Sequence, residues 1–403
     1  MCWFCLETDL VKRKPFRRLL IWAAVATLAA AWIYGHLAYD ASVERYLPGS
    51  LPHATRFGLI CLDSAEKLCL FEARDDQDHL TGYVTVGEGR GYGGPMVVVV
   101  GWSKEGGLLT LRVPKHREDA PWFRTLENRG FFEQYIGRKD TDPLWFGSDI
   151  DAVSGATISC YGVAEGVLKA RELMAKQLGH TIPPRVALAV KLGLAEILLF
   201  LGLGWVVVVR TGRFFAGTKW RRVPSLVFGF LVLGLWLGKP LSLVNFTTWL
   251  IGYPLPWQNN LFLYGLVFGT LLLAVSLGKN FYCFWLCPFS AVQEGGHWLT
   301  GSRIRPGEAR VKLLGSIRYL LLWLSLFLAF MFRTPAFTVY EPWTALFTLK
   351  GTGSQWVLVA VTLVGAMLVH NFWCTYLCPV GALMEIVLKV RNKVRTLWSQ
   401  RKE

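Results

Sequence analysis

The chain has 403 residues, of which 53% are hydrophobic and only 18% are charged, and it contains 18 Trp. This balance excludes an ordinary soluble globular protein, and Trp favours the membrane interface. The formal net charge of +15 could suggest nucleic-acid binding. Outside one polar stretch, however, most Lys and Arg lie beside long apolar runs, and no RNA- or DNA-binding motif accompanies them. We therefore expect no nucleic-acid partner.

Six apolar runs divide the chain. The first, LLIWAAVATLAAAWIY, follows five basic residues within positions 12–18 and predicts an uncleaved membrane anchor, with a cleaved signal peptide as the alternative. Five more runs follow a polar stretch, and each is about long enough to cross the ~30 Å hydrocarbon layer. They lie near 186–209, 223–242, 260–279, 313–333 and 355–373.

The loops between these runs alternate sharply in basic residues. The N-terminus, loops 210–222 and 279–318 and the tail after 380 hold 22 Lys and Arg, whereas the intervening loops hold three. The positive-inside rule places both termini in the cytoplasm and the polar stretch outside a lipid bilayer, the inner or cytoplasmic membrane. The predicted fold is an α-helical bundle of about six transmembrane helices, with an α+β extracytoplasmic domain inserted between helices 1 and 2. The predicted divisions are an N-terminal anchor (1–39), this domain (40–183), a five-helix membrane domain (184–388) and a basic tail (389–403).

The polar domain shows strand patterns first and helix patterns last. GYVTV, PMVVVVGW and LLTLRV predict β-strands, and KEGG between the last two predicts a hairpin turn. PWFRTLENRGFFEQYIG and ISCYGVAEGVLKARELMAKQLG predict helices. Gly91, Gly93, Gly94 and Pro95 precede a strand and indicate either a ligand that approaches the backbone or a tight turn.

The stretch DAVSGATIS, residues 151–159, places small and hydroxyl residues at the start of the second predicted helix. Ser154 is a candidate N-cap, Thr157 lies at or just before the helix start, and Gly155 and Ala156 leave room for a bulky group. A helix N-terminus is a natural seat for a phosphate. A capped helix after a small-residue turn explains the same residues without a ligand.

Asp151-Ala-Val-Ser154-Gly155-Ala156-Thr157 resembles the D-x-x-[ST]-G-A-T motif of covalent FMN-binding domains, which occur in NqrC, RnfG and NosR-like membrane flavoproteins. The resemblance covers roughly residues 80–178. It implies that a flavin transferase joins the FMN phosphate to Thr157 and that Asp151 orients the acceptor or the transferase's metal. It further implies FMN contacts from the glycine-rich strand entry and from the segment nearest the flavin ring, at Gly93, Gly94, His116 and Glu118.

Residues 280–294, NFYCFWLCPFSAVQE, and 371–385, NFWCTYLCPVGALME, form an internal repeat offset by 91 positions. We refer to them as copy one and copy two. The two cysteines of each copy are four apart, hence on one helix face, and the following Pro ends or bends that helix. One copy cannot supply four ligands, but Cys283, Cys287, Cys374 and Cys378 together can. We therefore predict one shared iron–sulfur cluster, [4Fe-4S], with zinc or merely buried thiols as alternatives.

The remaining cysteines carry weaker signals. Cys2 and Cys5 could bind a metal or carry a lipid, Cys61 and Cys69 could form a disulfide, and Cys160 fits a buried core position.

Among the ionisable residues, Glu196 lies inside an apolar run, where it could accept a proton from a quinol or merely face a neighbouring helix. His36 and His370 are too far apart to ligate one haem, and each fits an ordinary interfacial histidine.

From about residue 80 onward, the chain resembles NosR-type and reductive-dehalogenase-associated (PceC-like) membrane flavoproteins. This implies electron transfer from the quinol pool, or from an inner-side donor, to FMN and then to an extracytoplasmic reductase, with a quinone or another carrier between the two sites. Longer NosR-like members carry two C-x-x-C-x-x-C-x-x-x-C-P runs, which these 403 residues do not contain, so ferredoxin-type input would require a partner. The alternatives are a redox-sensing regulatory or maturation factor and a subunit of an ion-translocating complex.

Overall fold

The computed structural model divides into two compact units. One comprises Asp40–Val190 with Thr248–Asn259, and the other comprises Met1–Tyr39, Lys191–Thr247 and Asn260–Glu403. The structure describes residues 4–37, 43–63, 68–118, 120–153, 156–184, 190, 192–211, 222–258, 260–301, 304, 311, 314–349 and 351–400. We call the first unit the sheet unit and the second the helical unit.

The sheet unit is built on a five-stranded antiparallel meander in which neighbouring strands are also neighbours in sequence. The strands are β1 (Arg56–Asp63), β2 (Leu68–Arg74), β3 (Leu80–Gly91), β4 (Gly94–Trp102) and β5 (Leu108–Lys115). The predicted strands and the KEGG turn are confirmed, because residues 103–107 connect β4 to β5. Helices α2 (Ala120–Asn128) and α3 (Thr157–Leu178) complete an α+β domain, as predicted.

The two faces of the sheet carry separate apolar cores, because successive side chains of a strand point to opposite faces. One core contains Trp102 and the buried face of α3, and the other contains Phe71 and Val84. Cys61 packs against the first core and Cys69 belongs to the second. Both thiols are free, and Cys61 pairs across the strands with Leu70 instead of Cys69. The disulfide that the sequence left open is therefore not formed.

The first predicted helix of this unit is shorter than its sequence pattern. It ends at Asn128 because the chain turns at Gly130, which has a φ of 66°. The second predicted helix is confirmed over Thr157–Leu178, and Gly179, in the left-handed region, ends it by donating to the carbonyls of Ala175 and Lys176.

Helix α3 packs on β3 through glycines, which allow the two backbones to touch. A Cβ at Gly89 would overlap the carbonyl oxygen of Gly162, and a Cβ at Gly166 would overlap the side chain of Val98. This close approach fixes the start of α3 relative to the end of β3.

The helical unit contains the predicted apolar segments as helices. They are α1 (Phe4–Leu37), α4 (Leu194–Thr211), α5 (Val223–Phe228, continued as a π-helix over Gly229–Trp236), α7 (Leu261–Leu277), α9 (Ile317–Met331) and α11 (Gly353–Leu368). Shorter helices lie between and after them: α6 (Leu243–Ile251), whose residues from Thr248 onward belong to the sheet unit, α8 (Pro288–Thr300), α10 (Trp343–Thr348), α12 (Phe372–Tyr376) and α13 (Pro379–Gln400).

Only one of these helices, among the residues the structure describes, is long and apolar enough to cross a membrane by itself. It is the Arg18–Leu37 part of α1, which has 20 residues. The other five predicted spans are apolar helices of 10–17 residues, and 17 residues rise about 25 Å. The six-helix membrane topology thus remains a prediction.

Helix α1 packs along α9 at a close contact. A Cβ at Gly35 would overlap the carbonyl oxygen of Phe330. Farther along, the indole N–H of Trp323 donates to the Ala24 carbonyl at 3.3 Å and to the Thr27 hydroxyl at 3.2 Å. The first apolar helix is therefore an integral part of the helical unit.

We predict that Gly89→Ala destabilises the sheet unit by at least about 2 kcal/mol, because the added methyl meets backbone atoms that cannot move aside. Gly58→Ala is the matched control, since its Cβ would meet only the flexible Glu72 side chain on β2. Pulse proteolysis of the full chain in urea measures both. Equal urea midpoints for the two variants would contradict the prediction.

Candidate cofactor sites

The glycine-rich hairpin tip is held beside the start of α3 by Glu118. Strands β3 and β4 meet at Gly91 and Gly94, and Tyr92 and Gly93 form the turn. The Glu118 carboxylate accepts a hydrogen bond from the Gly93 N–H at 2.7 Å and another from the Ser159 hydroxyl. Because Glu118 is only 8% exposed, these two donors stabilise its buried oxygens. The glycines therefore serve a tight turn and a close contact at this point.

Thr157 is the first residue of α3 and is exposed to solvent. Ala156 occupies the N-cap, and no side chain caps the helix. The prediction of Ser154 as the N-cap is therefore wrong, and the placement of Ser154 and Gly155 lies outside the described residues. An accessible hydroxyl at a helix N-terminus without a side-chain cap is compatible with a phosphate ligand.

The loop that leads into this helix is fixed by Gln134, a residue the sequence did not indicate. Its side-chain oxygen accepts from the Asp151 N–H at 2.7 Å, and its amide nitrogen donates to the Asp151 carbonyl at 3.3 Å. The Asp151 residue is exposed. Two opposed hydrogen bonds to one backbone position hold the entry to the motif.

His116 lies on the segment after β5, two residues before Glu118. Its ring stacks on Phe123 with centroids 3.6 Å apart, and burial lowers the pKa of His116, so the imidazole is neutral at pH 7. Its Nδ1 atom is buried and has no hydrogen-bond partner among the described residues. Cys160, by contrast, is fully buried, and burial raises the pKa of its thiol to about 11, which confirms its core position.

The two cysteine segments of the helical unit share one backbone hydrogen bond at their second cysteine. The Cys287 N–H donates to the carbonyl of Tyr282 at 2.9 Å, and the Cys378 N–H donates to the carbonyl of Trp373 at 2.8 Å. Each bond spans five residues, and the pairs are related by the 91-residue offset. The following prolines, at positions 288 and 379, start α8 and α13. The second cysteine of each copy thus stands at the start of a new helix.

All four cysteines of the repeat line one cavity. The cavity is otherwise almost entirely apolar, and its remaining walls are formed by Leu241, Tyr282, Phe289, Trp343, Trp373, Val380 and Gly381. All four thiols are free. The structure therefore brings together the cysteines that the sequence predicted to share a ligand.

Four cysteine thiols are a ligand set that suits either an iron–sulfur cluster or a zinc ion. Four thiolates around one zinc ion converge at Zn–S distances of about 2.3 Å. In the described part of the chain, no three His, Cys, Asp or Glu side chains lie close enough to hold one metal ion. An iron–sulfur cluster binds through cysteine thiolates, and four cysteines complete the ligand set of a [4Fe-4S] cluster.

Two of the four cysteine sulfurs, both in copy two, accept hydrogen bonds. The Gln293 side-chain amide donates to Cys374 Sγ at 3.1 Å, and the Gly381 N–H at the start of α13 donates to Cys378 Sγ at 3.2 Å. The indole N–H of Trp373 is buried and has no hydrogen-bond partner among the described residues. Such donors suit an anionic cluster with thiolate ligands.

Each copy is also held by an Arg–Glu pair, which accounts for the Glu that both copies contain. Arg222 donates to the Phe284 carbonyl at 2.6 Å and pairs with Glu294 at 2.5 Å. Arg318 donates to the Cys374 carbonyl at 3.2 Å and pairs with Glu385. Both arginines lie at the start of a long helix, α5 or α9. The sequence repeat indicated the glutamates but not their partners.

The structure also places the candidate quinol-binding residue. Glu196 lies in the first turn of α4, where its side chain accepts from the Gly193 N–H at 2.9 Å. This contact suits a helix cap, and the proton-accepting role stays a prediction. His297 and His370, which the sequence did not connect, lie with ring centroids 5.0 Å apart, and the Nδ1 of His297 is buried with no hydrogen-bond partner among the described residues.

Two domain families match these two sites. The FMN-binding domain family matches residues 91–172, and the 4Fe-4S binding domain family matches twice, over residues 259–306 and 356–397. The double match contains one cysteine pair each time, which supports the internal repeat. The chain thus combines an FMN-binding domain with a two-part 4Fe-4S binding domain, and the predicted resemblance is confirmed.

The chain is also similar to several named proteins. The chain is 30% identical to Protein NirI of Paracoccus denitrificans over 62% of its own length and 38% of NirI's. It is 26% identical to the methylamine utilization ferredoxin-type protein MauN of Methylobacillus flagellatus, over 42% of this chain and 59% of MauN. It is 32% identical to the regulatory protein NosR of Pseudomonas aeruginosa, over 42% of this chain and 26% of NosR. The chain spans less than two thirds of each of these relatives and is similar to NosR and ferredoxin-type electron-transport proteins.

We predict that changing either cysteine pair to Ser (Cys283 with Cys287, or Cys374 with Cys378) abolishes iron and acid-labile sulfide binding, because the four thiols line one cavity. The Cys61→Ser and Cys69→Ser variants are controls, since these free thiols lie in the sheet unit. Iron and sulfide are measured on the purified full chain. Half the iron remaining after loss of one pair would show two separate sites.

Proposed function

We propose that the chain is a membrane electron-transfer protein that uses FMN in the sheet unit and one iron–sulfur cluster in the helical unit. The observation that carries this proposal is the cavity lined by four cysteines from two sequence copies, in a chain that also matches the FMN-binding domain. When bound, FMN supplies two-electron and one-electron chemistry and the cluster supplies one-electron chemistry.

The residues of the chain bind and orient these groups. The four cysteines hold the cluster, the apolar walls exclude water from it, and the Arg–Glu pairs fix the backbone that carries its ligands. In the sheet unit, Glu118 holds the hairpin tip beside the start of α3, where Thr157 offers its hydroxyl. Thr157 would carry FMN through a phosphoester: its hydroxyl would take the FMN-bearing phosphate from a flavin dinucleotide, the diphosphate bond would break and the nucleoside monophosphate would leave, in a reaction that a flavin transferase catalyses. Neutral His116, which belongs to the segment predicted to lie nearest the flavin ring, stacks on Phe123.

Electrons come from the quinol pool or from an inner-side donor and pass to an extracytoplasmic reductase. The basic loops support a cytoplasmic position for both cysteine copies and an extracytoplasmic position for the FMN-binding domain. A quinone or a further carrier connects the two. Glu196 is the proposed acceptor of quinol protons.

The His297–His370 pair supports contact with a quinol. The two rings touch, and the neighbouring Trp298 and Leu368 are 79% and 48% exposed, as expected for an apolar approach from lipid. An imidazole nitrogen without a protein partner can accept a hydrogen bond from a quinol hydroxyl.

A regulatory role is the second candidate, because one of the matched relatives is a protein named as regulatory, NosR. In that case the FMN senses redox state or the chain assists maturation of an extracytoplasmic metalloenzyme, without carrying its turnover current.

We predict that Thr157→Ala removes covalently bound flavin from a chain coexpressed with a flavin transferase. A denaturing gel under ultraviolet light shows the fluorescent band in the wild type, and Thr125→Ala on α2 is the matched control. Fluorescence that survives Thr157→Ala would rule out attachment at this hydroxyl.

We also predict that menaquinol or ubiquinol reduces the bound flavin of the full chain at catalytic rates, and that His297→Ala with His370→Ala slows this reduction at least about tenfold. Stopped-flow absorbance of the protein in nanodiscs measures the rate. Reduction too slow to support turnover in the wild type would favour the regulatory role.

A further inference from the structure

Gln293 connects the two cysteine copies. It lies on α8, six residues after Cys287 of copy one, and is completely buried. Its side chain reaches copy two, where it contacts both Trp373 and Cys374. A buried amide between two ligand segments must have a structural or an electronic role, because burying it without partners is costly.

The orientation of this amide is fixed by its partners. The backbone N–H of Trp373 donates to the Gln293 side-chain oxygen at 2.8 Å, which identifies the oxygen end of the amide. The nitrogen end must then face the other way, where it donates to Cys374 Sγ at 3.1 Å and to the Phe289 carbonyl at 3.5 Å. The backbone N–H of Trp373, the residue before Cys374, therefore orients the amide so that its nitrogen donates to the Cys374 sulfur.

The equivalent position in copy two cannot form this hydrogen bond. The position related to Gln293 by the 91-residue offset is Met384, which is also buried and lies on α13. The methionine side chain has no N–H to donate. Gln293 of copy one thus donates a hydrogen bond to a sulfur of copy two, whereas Met384 of copy two can donate none to copy one.

We propose that Gln293 is a redox-tuning residue of the cluster, which raises its reduction potential by donating an N–H to the Cys374 sulfur. The inference rests on the proposed iron–sulfur function and assigns a role to a residue that is not a ligand. Reduction adds one electron to the cluster and neither forms nor breaks a bond to the protein. The added negative charge is shared with the cysteine sulfurs, so a donor at sulfur stabilises the reduced state more than the oxidised one.

The test is a redox titration of the full chain in detergent, with dithionite as reductant and EPR as the readout. Gln293→Met gives copy one the residue of copy two and removes the donor. Gln293→Glu keeps an acceptor for the backbone N–H of Trp373 and removes the N–H donor, but its carboxylate adds a negative charge that lowers the potential further. Gln293→Met therefore measures the loss of the donor, and Gln293→Glu tests whether the retained bond to Trp373 preserves iron binding. Met384→Leu is the matched control on the other copy.

We expect both Gln293 variants to bind wild-type amounts of iron and to have a lower midpoint potential. The expected change in the reduction equilibrium is up to about tenfold, which for one electron is about 59 mV. Met384→Leu leaves the potential unchanged. Full iron content with an unchanged potential in the Gln293 variants would overturn the inference and leave the proposed function intact. Loss of iron from both variants would show that Gln293 is structural, whereas a wild-type chain without iron would reject the proposed function itself.

Discussion

The proline after each second cysteine is the constraint on which the helical unit depends. Proline cannot continue the helix before it, because it lacks an N–H and clashes with the preceding turn. Pro288 and Pro379 therefore start new helices, and each leaves its cysteine at the junction. In each copy, the N–H of the second cysteine donates to the carbonyl five residues earlier, and both cysteines of the copy line one cavity. Without this break, two cysteines four apart would simply follow one helix face.

The sheet unit solves a comparable problem with glycine. Its helix α3 can approach β3 only because neither chain has a side chain at Gly89 and Gly162. The same closeness allows one carboxylate, Glu118, to bind both the hairpin tip and the first turn of α3. A glycine-rich tip and a threonine 64 residues later in sequence are thereby held in one place. In both units, a backbone constraint positions the chemistry.

The sequence predicted those parts of the molecule that repeat or alternate. Strand alternation predicted the sheet, the 91-residue repeat predicted the four-cysteine cavity, and hydropathy predicted the positions of the apolar helices, although not their shorter lengths. It did not predict the contacts of Gln134, Gln293 or the Arg–Glu pairs, because a single polar residue that contacts a partner distant in sequence leaves no periodic pattern. A Cys61–Cys69 disulfide stayed open in the sequence because strand register, which puts the two thiols on opposite faces, cannot be read from spacing. Ser154 was predicted as the N-cap because residue type alone does not fix where a helix begins.

The repeat also has a consequence for biogenesis. Because the cavity takes half of its thiols from each copy, 86 residues separate Cys287 from Cys374. In the proposed single-cluster arrangement, copy one leaves the ribosome with an incomplete ligand set, so iron insertion waits until copy two has been synthesised and has folded against it. The bound cluster would then cross-link the two halves and lower the conformational entropy of the unfolded chain between them, as other long-range cross-links do.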